Sequence, residues 1–209
     1  MVAGQEAHRR AARMVPDEFA DAVEAMRATA LRSEILCEEM PAPQRIAPYA
    51  FALSADVTID GIDVATGRLI LLHDPAGNDA WDGVFRFVSY ARADLELEMV
   101  TDPLLGQVGW TWLEEALDSH GAQADNASGT ITRVITESYG TMADDPGSGQ
   151  IEVRASWTPS LVGTRDAAAH VRAWAELLCQ AAGMQPVPEG VATMPSRRGQ
   201  RGSGRSDLR

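Results

Sequence analysis

The stretch of this sequence richest in reactive groups is "LLHDPAGNDAWDG", residues 71–83. It sets His73 beside Asp74, adds Asn78, Asp79 and Asp82, and wedges Trp81 among them. A calcium loop of the EF-hand kind needs an oxygen ligand at every second position and a distal glutamate. Counted from Asp74, the third position is Ala76; counted from Asn78, it is Ala80, so the spacing fails either way. Pro75, Gly77 and Asn78 are turn formers, and short Asp and Asn side chains at such places bond their own backbone. The stretch therefore reads as a hairpin turn between two strands. His73, Asp74 and Asp82 are kept as the candidate ligand loop, the place where a small-ligand or enzymatic site would stand.

Other catalytic chemistry is thinly represented. All 18 basic residues are arginine. Without lysine, a Schiff-base nucleophile, a pyridoxal-phosphate anchor and a Walker A lysine are excluded. His8, His73, His120 and His170 share no metal-ligand spacing, and Cys37 and Cys179 are too isolated to suggest a zinc site or a redox pair. There is no GxSxG elbow and no GxGxxG turn between a strand and a helix. Paired acids at Glu38–Glu39, Glu114–Glu115 and Asp144–Asp145 read as solvated surface. No catalytic residue, metal site or cofactor is expected.

Two other groupings point to binding rather than catalysis. Leu104, Leu105, Trp110 and Trp112, in "DPLLGQVGWTWLEEALD", make a candidate partner surface. Tryptophans two apart on a helix do not share a face, so one is expected nearer the surface. Arg68, Arg86, Arg92, Arg133 and Arg154 all fall on expected strands. If several share a helix-free face they make an anion-binding or partner-binding surface; pairing with Glu96, Glu137 and Glu152 is the plainer use for them.

The elements that must position these groups follow from periodicity. "PDEFADAVEAMRATALR" spaces Phe19, Val23, Met26 and Ala30 as one helical face. "SEILCEE" is open between a further helical turn and a short strand, and Pro41, Pro43 and Pro48 then force an extended connection. "YAFALSADVTI" alternates at period two, "TGRLILLHD" is a continuous apolar run, and "GVFRFVSYARADLE" is a third strand. A helix follows, firmest from Val108 to Ser119 and stopped at Gly121. "GTITRVITESYG" and "QIEVRASWTP" are two more strands, the latter with Ile151, Val153, Ala155 and Trp157 on one face and Glu152, Arg154, Ser156 and Thr158 on the other. A last helix, capped by Thr164, carries Val171, Trp174, Ala175, Leu178 and Ala182 and ends at Gly183. The order α-β-β-β-α-β-β-α with short loops predicts an α+β domain: an antiparallel sheet of about five strands with helices on one face.

The formal charge of the 209 residues is −12. Residues 1–15 and 196–209 hold eight of the arginines and are expected to be disordered, so the single domain at 16–195 is near −18. Such a body repels phosphate backbones; nucleic acid is expected to be met only through the basic tail, if at all. No run of 18 apolar residues exists to span a membrane, and the N-terminus lacks the apolar segment of a signal peptide, so a cytoplasmic protein is expected.

The stretches "PAPQRIAPYAFALSADV", "ATGRLILLHDPAGNDAWDG", "DPLLGQVGWTWLEEALD" and "IEVRASWTP" together resemble an uncharacterised actinobacterial family, a domain of unknown function, over residues 16–195. The resemblance implies no activity and no functional residues; the family's gene neighbourhood implies at most an accessory link to RNA processing. The element order also resembles that of small acidic secretion-chaperone-like proteins, which dimerise and bind extended segments of partners. The reading that results is a non-enzymatic interaction or chaperone-like module, homodimeric and bound to a protein partner. A small-ligand-binding protein or enzyme using the 71–83 loop is one alternative, and an RNA-processing accessory factor another.

Overall fold

The computed structural model describes residues 15–161 and 166–185. Its elements, in chain order, are α1 (Asp17–Arg27), β1 (Ile35–Met40), β2 (Tyr49–Ile59), β3 (Ile62–Asn78), β4 (Gly83–Leu95), α2 (Leu97–Thr101), α3 (Leu105–Ser119), β5 (Ala124–Thr136), a 3-10 turn (Gly140–Met142), β6 (Ser148–Pro159) and α4 (Asp166–Ala181). The strands form one antiparallel sheet in the order β1-β2-β3-β4-β6-β5. The fold is α+β as expected, with six strands rather than about five. The added strand is the ambiguous 34–39 region: Ile35 to Met40 pair with Val57 to Ala52, and Pro41 ends the strand. Leu97–Thr101, between the third expected strand and the helix that follows it, is a short helix of its own.

Odd-numbered residues of the strands face the helices. Phe51, Leu53, Ala55 and Val57 of β2, Leu69 and Leu71 of β3, Phe87 and Ala91 of β4, and Ile151, Val153 and Trp157 of β6 are all buried there. α4 lies at the centre of the helical layer, touching α1, α3 and four strands, and eleven of its residues are buried. That explains why its sequence, apolar nearly all round, shows only a broad stripe. Gly67 lets it come close: a Cβ there would stand 2.8 Å from a Leu178 methyl. α1 starts after Pro16 with Asp17 and Glu18 at its positive end and packs Phe19, Ala22, Val23 and Met26 inward. The expected cap at Thr164 and the terminal segments before 15 and from 196 on lie outside the described residues.

Candidate functional site

Among the described residues no helix covers the even-numbered face of β2–β6, and the antiparallel register stacks its side chains into rows. One row runs Ser54, Arg68, Tyr90, Arg154, Thr130 across β2, β3, β4, β6 and β5. The next runs Ala52, Ile70, Val88, Ser156, Ser128. Between them the sheet holds an open groove of about 740 Å³ floored by Ile70 and Val88 and walled by arginines and hydroxyls.

The charges in this groove are unevenly balanced. Arg154 donates from Nη2 to Glu152 Oε2 at 2.9 Å, two residues along the same strand, and its guanidinium lies 5.4 Å over the Tyr90 ring. The Tyr90 hydroxyl donates to the other Glu152 oxygen at 3.2 Å. Burial, with that carboxylate beside it, pushes the Tyr90 phenol up, so it remains a neutral donor. Arg68 is exposed and has no ion pair or hydrogen bond among the described residues. Glu152 is thus shared by one arginine and one phenol, and Arg68 has no partner.

At the end of the groove Arg86 is only 7% exposed. Its Nη1 donates to Asn126 O at 3.1 Å and Thr158 Oγ1 at 3.0 Å. Its Nη2 donates to Ser156 Oγ at 2.7 Å, Ser156 O at 3.2 Å and Ser128 Oγ at 3.3 Å. Thr158 passes its own proton to the Trp81 carbonyl, tying in the tip of the β3–β4 hairpin. The guanidinium is therefore saturated by neutral acceptors, with no carboxylate in ion-pair range among the described residues. Burial pulls it below its ordinary pKa, yet arginine stays protonated at any working pH. A fixed positive charge sits under the groove, balanced by dipoles alone.

Of the five strand arginines, four share the helix-free face, Arg92 adding itself one row beyond with Asp94 at 3.9 Å. Arg133 does not: it turns to the helical side and donates to Val100 O and Asp102 O at 3.4 and 2.7 Å, where the C-terminal carbonyls of α2 attract a cation. Tyr90, Ser128 and Thr130 were missed by the sequence reading. Their signal is their even position on the strands: Tyr90 in "FVSYARA" and Thr130 in "GTITRVIT" alternate with inward-facing residues, and Ser128 lies just before the latter.

The candidate ligand loop is taken apart by the same alternation. His73, an odd position, is fully buried on the helical side among Phe19, Tyr49 and Phe85. Its Nδ1 donates to Val84 O at 3.1 Å, and Nε2 stands 3.1 Å from Glu18 Oε1. Asp74 bonds the Ala76 amide, Asn78 bonds the Ala80 amide, and Asp82 takes φ 55° at the end of the turn. The three residues do not converge. Among the described residues no group of three or more His, Cys, Asp or Glu is placed to hold a metal ion.

The candidate partner surface is divided too. α3 begins at Leu105, which points inward with Gly109, Leu113 and Ala116. Leu104 just before it is 60% exposed and Val108 40% exposed. Trp112 is half-buried beside them over a shallow depression. Trp110, half-buried, rests on Gly129 of β5 and donates to Glu114 at 2.9 Å.

A family model described as a protein of unknown function (DUF3000) matches residues 15–192. The chain belongs to that family. No curated protein and no solved structure matches it. The matched span of this DUF3000 chain takes in the whole sheet, so groove, hairpin and helical layer all lie within the family region. No helix among the described residues is long and apolar enough to cross a membrane.

Proposed function

We propose that this protein is a non-catalytic interaction module that holds an acidic, extended segment of a partner protein on the helix-free face of its sheet. The observation that carries the reading is unpaired Arg68 together with Arg154, which shares Glu152 with Tyr90, beside hydroxyls in one groove of about 740 Å³ whose Ser128 and Ser156 are held from behind by buried Arg86. Guanidinium forks and hydroxyl groups suit carboxylates. The apolar floor of Ile70 and Val88 suits the intervening side chains of an extended chain. The basic sequences at 1–14 and 196–209 do not match this groove in charge, so the occupant is assigned to another chain. Buried His73, turned away from Asp74 and Asp82, gives no support to an enzyme at the hairpin.

The test is fluorescence anisotropy with a fluorescein-labelled, Glu-rich peptide at rising NaCl. Wild-type protein is expected to bind it, with affinity falling as salt rises. Arg68→Ala with Arg154→Ala is expected to weaken binding at least about tenfold, each exposed charged contact contributing on the order of 1 kcal/mol. Equal affinity for wild type and the double variant would refute the reading. A second surface, the exposed Leu104 and Val108 beside Trp112, fits an apolar contact with the same partner beyond the groove.

A further inference from the structure

We infer that the acidic segment docks as a seventh strand on the free edge of β5. This rests on the reading of the groove given above and moves the segment's backbone from the groove's floor to its β5 wall, where Arg154 is the cation within reach and Arg68, about four inter-strand spacings away, is not. The sheet has two edges, and they are built differently. β1 spans only Ile35–Met40, carries Glu38 and Glu39, has Glu39 locked to Arg27 at 2.9 Å, and runs into Pro41. Those are the devices that stop a sheet edge from recruiting another chain. β5 spans Ala124–Thr136, is about twice as long, and carries no proline and no glutamate; its charges are Asp125 near the start and Arg133.

A bulge between Asp125 and Ser128 interrupts only its start. From Ser128 to Thr136 the ladder to β6 is regular and free of proline. The single charged side chain there, Arg133, is drawn away to the end of α2. Nearly every residue of this run is exposed, and among the described residues no strand pairs with its outer side. At about 3.3 Å per residue the run offers about 30 Å of unpaired backbone.

The same strand lines the groove through Ser128 and Thr130. A strand added to β5 lies about 10 Å from β6, two inter-strand spacings away. A glutamate at the position beside Thr130 spans that gap to Arg154, and the next acid along the open face meets Ser128. The alternate side chains then fall on the helical side next to Ile131 and Ile135, the latter 46% exposed. The partner segment is therefore one that alternates acidic and apolar β-branched residues: main-chain hydrogen bonds hold it, and its carboxylates choose the face. A second copy of this chain, pairing β5 with β5, is the competing occupant; it would set an arginine-lined face beside its equal and supply no acid to it.

The experiment uses a labelled peptide alternating Glu and Val, and two versions N-methylated on opposite sets of alternate amides. One set faces β5 and the other faces solvent. The expected result is that one methylated version loses affinity at least about tenfold while the other binds as the parent does, since only one set makes ladder bonds. Hydrogen exchange of the full chain is expected to show alternate amides of 128–136 slowing on peptide binding. Equal affinity of both methylated versions, with Arg68→Ala/Arg154→Ala still weakening binding, overturns strand addition and leaves the groove reading standing. Methylation-sensitive binding that ignores the arginine variants overturns the charge-based reading instead. A dimer in sedimentation whose 128–136 amides are already protected overturns the proposal in favour of a second copy. Absence of binding by the wild-type protein overturns both readings.

Discussion

Lowering the pH from 7 to 5 should cost this protein about 2 kcal/mol of stability through one histidine. His170 is fully buried on α4, 4.9 Å from the Phe87 ring, and its Nδ1 accepts the indole proton of Trp157 at 3.1 Å. That bond requires the neutral imidazole. Burial pulls its pKa from 6.5 to about 4, with Asp166 opposing weakly. The folded state thus binds fewer protons than the unfolded state between those values. The contribution is fully present above pH 6.5, is lost as pH falls from 6.5 toward 4, and is flat below. A shift of that size corresponds to about 3 kcal/mol in all, of which about 2 is gone by pH 5. The assay is urea denaturation at pH 7 and pH 5 of wild type and His170→Gln, whose amide oxygen can accept the same indole proton. Carboxylates and the other histidines contribute alike to both proteins and cancel in the double difference. The wild type is expected to lose about 2 kcal/mol more than the variant. An equal loss in both would show that His170 is not held neutral by the core.

Three other perturbations follow from the same geometry. Gly129→Ala puts a Cβ 2.2 Å from the Arg154 carbonyl and 2.8 Å from the Trp110 ring, so β5 must move off β6; a loss of about 1–3 kcal/mol in urea melts is expected. Arg86→Gln leaves several of the acceptors on Asn126, Ser128, Ser156 and Thr158 unpaired; melting curves should show a loss of about 2–4 kcal/mol, where an unchanged midpoint would mean water replaces the guanidinium without penalty. Burial pushes the Cys179 thiol up to about 11 and raises Cys37 as well. At pH 8 a thiol reagent should therefore label the native protein slowly at Cys37 and leave Cys179 untouched until urea is added, as read by mass spectrometry.

Much of this architecture was legible residue by residue. The stripe of Val171, Trp174, Ala175 and Leu178 announced α4, and the alternation of Phe51 to Val57 announced β2, because burial against one face is written directly in the period. β1 was not decidable: "ILCEEM" offers two apolar residues to either period, and only pairing with β2 makes it a strand. Nor can a period say which strands are neighbours. β6 inserts between β4 and β5, and that non-local choice is what stacks Arg68, Tyr90 and Arg154 into one row. The sequence put Arg154 and Ser156 on one face without showing what lay beside them. His73 illustrates the reverse error. Adjacent letters in "HDP" suggest a shared site, but on a strand neighbours point to opposite faces, so His73 enters the core while Asp74 turns out to the hairpin.

The electrostatics of the groove add a constraint on what it accepts. The whole chain carries −12, so a strongly acidic partner meets net repulsion wherever it lies close along the surface, and salt screens that repulsion beyond about 8 Å at physiological ionic strength. Within that length the local arginines dominate, because their field is focused over the low-dielectric sheet while the surface acids are screened by water. On the proposed reading a nucleic-acid duplex gains little from this face: it meets the repulsion along its length and finds one short cationic row among the described residues. A single flexible segment with a few carboxylates meets little of the repulsion and all of the attraction once seated. The contrast between an acidic body and a small cationic face is thus itself a filter. On the proposed reading it favours short acidic segments carried by an otherwise weakly charged partner over polyanions, and docking on the free edge of β5 would select an extended one.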